Sequence, residues 1–180
     1  MEQRARSRRG TSTILTASAA LAALALAASC GPAPRPRAPS EADLRSLTEG
    51  RALELITEVL DERGTAHESG WAIDVGYEAP LAIDLHLTGT SFGIEWVSAQ
   101  DRERVGARIP APAPGGQLRV LPGTGEDADA SVLILEAETY RYDPDRERVE
   151  RGATGVREVE SRLRRDVVDF LEYVRAQSTS

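Results

Sequence analysis

Between Trp71 and Trp96 the chain alternates apolar with other residues in three short runs: Trp71, Ile73, Val75 and Tyr77; Leu81, Ile83, Leu85 and Leu87; Phe92, Ile94 and Trp96. Period two puts every second side chain on the same side of an extended strand. The runs are separated by Glu78-Ala79-Pro80 and Gly89-Thr90-Ser91, connections short enough only for antiparallel neighbours, so the pattern predicts a β-meander with one buried face. The other face, carrying Asp74, Asp84, His86, Thr88 and Glu95, is expected to meet water.

Helical periodicity flanks this region. Ser40 with Asp43 reads as a capping-box start, followed by the apolar stripe Leu44, Leu47, Leu55, Ile56, Val59 and Leu60 up to Gly64, with Gly50 placed to kink or split the helix. Ser98 and Asp101 form a second capping pair, opening a short helix that Gly106 ends. A loop with Pro110, Pro112, Pro114, Gly115 and Gly116 leads to a strand near Leu118 to Leu121. The run from Ser131 to Tyr142 reads as one strand whose apolar first half implies a central place in the sheet. Asp143-Pro144-Asp145 then predicts a turn into a charged edge strand over Arg146 to Arg151. Val156, Val159, Leu163, Val167, Phe170, Leu171 and Val174 recur at helical spacing, so a last helix is expected to dock along its length. On its outer face Glu158–Arg162, Glu160–Arg164 and Arg165–Asp169 stand four residues apart, the spacing of a solvated, salt-bridged surface. The expected fold is α+β: an antiparallel meander sheet of about five or six strands against N- and C-terminal helices, in one domain over residues 41–177.

The front of the chain has a different character. Arg4, Arg6, Arg8 and Arg9 precede an apolar run from Leu15 to Ala28, and small residues lead to Cys30, the only cysteine. That order is the order of an export signal, and the run falls short of the ~20 residues a membrane-spanning helix needs. Leu26-Ala27-Ala28-Ser29-Cys30-Gly31 resembles a bacterial lipobox. The resemblance implies removal of a signal peptide, residues 1–29, and acylation of Cys30; Ala27 stands where that family most often has Leu. It further implies a membrane partner through the lipid, and Gly31 implies outer-membrane sorting toward the periplasm. Residues 30–40, with Pro32, Pro34, Pro36 and Pro39, read as an extended tether.

A chain so processed has no free thiol, which removes disulfides, thiolate metal sites and cysteine catalysis. All 22 basic residues are Arg; without Lys there is no Schiff-base chemistry and no Walker-type phosphate loop. Loss of the first 29 residues takes four Arg and one Glu, leaving 18 basic and 28 acidic residues and a net charge near −10. Such a surface repels nucleic acid.

Three patterns bear on chemistry. Helix, three strands, short helix and strand over residues 41–121 resemble the restriction-endonuclease-like core, an alternative fold of α/β type. That resemblance implies Asp84 and Glu95 as metal ligands, but Val97 occupies the position of the family's Lys, so the site is degenerate. Asp84 and His86, two apart on one strand, with Ser91 or Ser98 nearby, outline a hydrolase, though no Gly-x-Ser-x-Gly elbow is present. Asp127 and Asp129 beside Glu126, and Asp143 and Asp145 beside Glu147, offer hard oxygen ligands suited to calcium but lack the EF-hand pattern, and read as solvated turns. His67 falls in a polar loop. The leading expectation is a lipid-anchored, non-enzymatic accessory module of the cell envelope, with an envelope protein as partner and no cofactor. The competing one is an envelope hydrolase or metal-binding protein using Asp84, His86 and Glu95.

Overall fold

The computed structural model describes residues 43–76, 79–106, 109 and 118–178, with Val105 described in its backbone only. The expected signal sequence, Cys30, the tether, the Ser40 cap, Tyr77 and the Pro-rich loop from 110 lie outside the described residues. In chain order the elements are β1 (Arg45–Ser46), α1 (Glu49–Glu62), β2 (His67–Glu68), β3 (Trp71–Ile73), β4 (Leu81–Ile83), β5 (Leu85–Leu87), β6 (Phe92–Val97), α2 (Ala99–Val105), β7 (Arg119–Pro122), β8 (Ser131–Glu136), β9 (Arg141–Tyr142), α3 (Arg146–Glu150) and α4 (Val156–Ser178). The class is α+β, as the two periodicities predict.

The sheet is mixed, however, rather than an antiparallel meander. Its five strands run in the order β2-β5-β6-β8-β7. β6 pairs antiparallel with β5, Leu85 opposite Ile94, but parallel with β8, from Phe92 opposite Ser131 to Val97 opposite Glu136. The chain between β6 and β8 provides the crossover that parallel neighbours require. Two short ribbons complete the body: β3 with β4, and β1 with β9.

Both faces of the central sheet are covered. Leu87, Phe92, Ile94, Trp96, Leu133 and Leu135 pack against Ile56 and Val59 of α1 and Leu163, Val167 and Phe170 of α4. Val97, Val132 and Ile134 face the other way, against Ile73, Val75, Leu81 and Ile83 of the β3–β4 ribbon. All six residues of β6 are therefore buried, against the expectation of one wet face. The second period-two run is the cause: Leu81 and Ile83 join one core, Leu85 and Leu87 the other. The strand turns over at Asp84, and its first half folds across the sheet instead of extending it.

Four further expectations are corrected. The first helix begins at Glu49, where the Thr48 side chain accepts from the Arg51 N–H at 3.3 Å, so Gly50 lies in the opening turn and splits nothing. Arg45–Ser46 before it is a strand, paired with Arg141–Tyr142. That pairing also ends the long run from Ser131, because a 3₁₀ turn at Ala137–Thr139 carries the chain out of β8 and into β9. The charged segment after Asp145 is helix α3: Asp145 Oδ1 accepts from the Glu147 and Arg148 N–H groups at 2.9 and 3.3 Å. An N-cap outweighs the edge-strand composition there. Arg146 meets Glu150 at 2.9 Å, four residues on. Within α4, Glu160 pairs with Arg51 of α1 at 2.8 Å, while Arg164 reaches Glu58 and Glu62. Those charges join two helices instead of pairing along one, with Glu62 still exposed.

Gly93 permits the ribbon to lie down. A Cβ there would sit 2.8 Å from Trp71 Cζ3 and 2.9 Å from Ile83 Cγ2, closer than carbon atoms pack. Gly93→Ala is expected to lower stability by about 1–3 kcal/mol through overpacking, read as a reduced denaturation midpoint with a changed Trp71 emission. An unchanged midpoint would show that the ribbon does not rest on this position.

Candidate functional site

Where β4 leaves the sheet, the ladder between β5 and β6 stops at Leu85 and Ile94. Side chains complete the next step. The Trp96 N–H donates to Asp84 Oδ2 at 2.7 Å, and the Asp84 N–H donates to Glu95 Oε2 at 3.0 Å. The two carboxyl groups are neighbours at this bend, so the charge of one bears on the other. Glu95 is 5 % exposed; it is buried rather than on a wet face, because the ribbon covers it.

This arrangement raises both acids. Burial pushes the Glu95 carboxyl up to about 8, the Asp84 charge adds to the shift, and the Asp84 N–H opposes it. Burial also raises Asp84, against the stabilising Trp96 N–H. Near neutrality Glu95 holds its proton. Chemically this is a proton reservoir; structurally it is a splice across a strand bend, satisfying two backbone donors that the departing strand abandons. Val97, beside the pair on β6, is 1 % exposed.

His86 does not join the two acids. Its ring stacks on Trp71 with centroids 4.3 Å apart, Nδ1 lies 3.1 Å from Glu68 Oε1, and Nε2 lies 2.8 Å from the Thr90 carbonyl. Both nitrogens face oxygen acceptors, so neither is turned toward a serine. Ser98 Oγ is committed to the cap of α2, accepting from the Asp101 N–H at 3.1 Å and donating to Asp101 Oδ2 at 2.6 Å. The Ser91 carbonyl accepts from the Ser131 N–H at 2.8 Å. His67 is a half-buried member of β2 and no loop residue, its Nδ1 3.2 Å from the Thr65 carbonyl.

The loop acids are held by their own surroundings. Asp127 Oδ2 accepts from the Asp74 N–H at 2.7 Å, tying the 125–127 turn to the end of β3. Asp143, 3 % exposed, grips Arg148 through two contacts of 2.7 and 3.0 Å, and that guanidinium holds its carboxyl below the usual range. Asp145 caps α3, and Asp129 lines an open cleft near Ser91. Among the described residues no group of three or more His, Cys, Asp or Glu is placed to hold a metal ion.

Two buried polar clusters were not legible in the sequence. Glu136, closing β8, is gripped by Arg102 of α2 and by Arg119 of β7, the latter at 2.5 Å. Tyr140 donates to Asp166 Oδ2 at 2.7 Å beneath the Arg162 guanidinium, 5.5 Å from its ring centre. Each joins separate elements, and no local pattern announces such a meeting. No protein-family model, curated protein or solved structure matches this chain. The geometry is therefore the evidence on function.

The carboxyl pair sets a pH dependence. Native protein keeps a proton on Glu95 that the unfolded chain releases near the ordinary carboxylate value, so this contribution to stability is complete below pH ~4.5 and is lost as pH climbs through about 8. Glu95→Gln keeps an acceptor for the Asp84 N–H and carries no charge. The melting temperature of the variant, measured against the parent, is expected to rise progressively from pH 5 to 8.5; a difference constant across that range would contradict the raised Glu95 pKa.

Proposed function

We propose that this protein is an envelope-anchored lipoprotein, held through acylated Cys30, whose folded body serves as a non-enzymatic accessory and interaction module. The observation that supports the non-enzymatic reading is the engagement of Asp84 and Glu95 at the strand bend. Both carboxyl groups accept backbone N–H donors, and the ribbon shields Glu95. A general acid or a metal ligand needs a face open to substrate, whereas these groups face the fold.

The anchor rests on the order of basic stretch, apolar run and single cysteine before the Pro-containing tether. Acyl chains contribute about 0.8 kcal/mol per buried CH₂, and two or more give stable attachment. The net charge near −10 keeps the body away from anionic headgroups and nucleic acid, which suits an envelope protein as partner. Placement at the outer membrane, facing the periplasm, follows from the lipobox resemblance with Gly31 after the cysteine.

One observation favours the competing reading: Asp84, at the bend between β4 and β5, does meet Glu95 of β6, as the ligands of a restriction-endonuclease-like site would. Against it stand the buried Val97 in the lysine's place and the proton that the pair retains near neutrality. Two experiments separate the readings. Cys30→Ser is expected to abolish incorporation of radiolabelled palmitate and to release the chain from the membrane fraction; labelling that persists in the variant would refute the anchor. Titration of the full chain with Mn²⁺ at neutral pH is expected to leave the resonances of Asp84 and Glu95 unbroadened, and specific broadening there, lost in Asp84→Asn, would transfer the assignment to a metal site.

A further inference from the structure

At the start of β6 and β8, where the last turns of α4 pass the sheet, an open cleft of about 600 Å³ is lined by Ser91, Phe92, Asp129, Ser131, Tyr173 and Gln177, among others. The volume falls within the range of small-molecule sites. Tyr173 is 39 % exposed, yet it is held in place: its ring meets Phe92 edge-on at 6.1 Å and lies nearly parallel to Phe170 at 6.2 Å. An aromatic ring fixed by two others loses little freedom when a ligand stacks on it. Around it, among the described residues, no partner hydrogen-bonds the side chains of Ser91, Asp129, Ser131 or Gln177. The cleft thus gathers two hydroxyls, a carboxylate and an amide, able together to donate and accept in several directions.

The lining narrows the class of ligand. It includes no arginine or histidine, and the body carries net negative charge, so phosphates and other anions are disfavoured. It includes no Leu, Ile, Val or Met, so an acyl chain or an apolar helix finds no complementary wall. What remains is a molecule rich in hydroxyls with a weakly apolar C–H face, which is the chemistry of a sugar ring. We infer that this cleft binds an uncharged saccharide chain, with Tyr173 stacking on one ring and Asp129, Gln177, Ser91 and Ser131 hydrogen-bonding its hydroxyls. The site lies outside the carboxyl pair and does not depend on the lipid anchor.

The test uses the full chain in detergent, isotope-labelled at tyrosine, and follows the Tyr173 ring resonances during titration with chitotetraose, cellotetraose and maltotetraose at millimolar concentration. At least one of these is expected to shift Tyr173 saturably, whereas an oligogalacturonate of similar length does not. Tyr173→Ala is expected to weaken that binding about tenfold and Tyr173→Phe to retain it, because the ring and not the hydroxyl supplies the stack. For Tyr173→Ala, whose own reporter is removed, affinity is read by calorimetry. Asp129→Asn, an isosteric change in an exposed loop, is expected to weaken binding several-fold and carries the test if Tyr173→Ala lowers stability. No saturable shift with any of the three neutral sugars, equal binding of the anionic one, or full affinity in both Tyr173→Ala and Asp129→Asn overturns the assignment.

Discussion

The parallel pairing of β6 with β8 leaves twelve consecutive-register residues in the middle of the body, six on each strand, and only Ser131 among them escapes burial. Two adjacent strands buried on both faces need cover on both sides. One cover comes from α1 and α4, the long helices joined by Arg51–Glu160 and Arg164–Glu58. The other comes from the β3–β4 ribbon, which has no independent means of support: a two-stranded ribbon is marginal by itself and gains its stability from the apolar residues it presses onto the sheet. Gly93 permits that contact, and the Asp84–Glu95 pair completes the backbone hydrogen bonding that the departing strand leaves open.

The chemical meaning of the two acids follows from their position. On an exposed strand face they would both ionise and repel one another. Under the ribbon the cost of desolvation keeps Glu95 protonated near neutrality, which removes that repulsion. Raised carboxyl pKa values mark catalytic sites and structural networks alike. Here burial raises both acids while the main-chain N–H groups they accept oppose the rise, so the same shift that resembles catalytic tuning is accounted for by the architecture. The cleft at the other end of β6 is the reverse case: the side chains of Ser91, Asp129, Ser131 and Gln177 are ordinary in type but have no hydrogen-bond partner among the described residues, and the exposed Tyr173 ring of α4 stands among them.

Helix α4 was legible almost residue by residue, because a stripe at Val159, Leu163, Val167, Phe170, Leu171 and Val174 has only one way to be buried at once. Helix α2 was legible for a different reason: Ser98 and Asp101 satisfy each other's backbone donors locally, and Gly106 supplies a positive φ of 53° at the end. Both signals are contained within a few turns of chain. The segment from Arg146 to Glu150 misled, since its alternation of charges suits an edge strand as well as a helix, and the deciding contact is a cap from Asp145, a residue equally at home in a turn. The candidate site was half legible. Asp84 and Glu95 stood out as paired acids on neighbouring strands, but their burial and raised pKa values depend on a ribbon whose path no local pattern reveals.

What the amino-acid order determined by itself is the set of elements whose signals are local: the amphipathic helices, the capped starts, the period-two runs, the absence of lysine and the single cysteine after the only long apolar stretch. What only the tertiary structure decided is which face each run buries and against what. Leu81, Ile83, Leu85 and Leu87 look equivalent along the chain, yet they enter two different cores, because one bend at Asp84 reverses the strand's faces. Alternation specifies that one side of a strand is apolar; it carries no information about a rotation between neighbouring residues, or about a second layer waiting on the far side of the sheet.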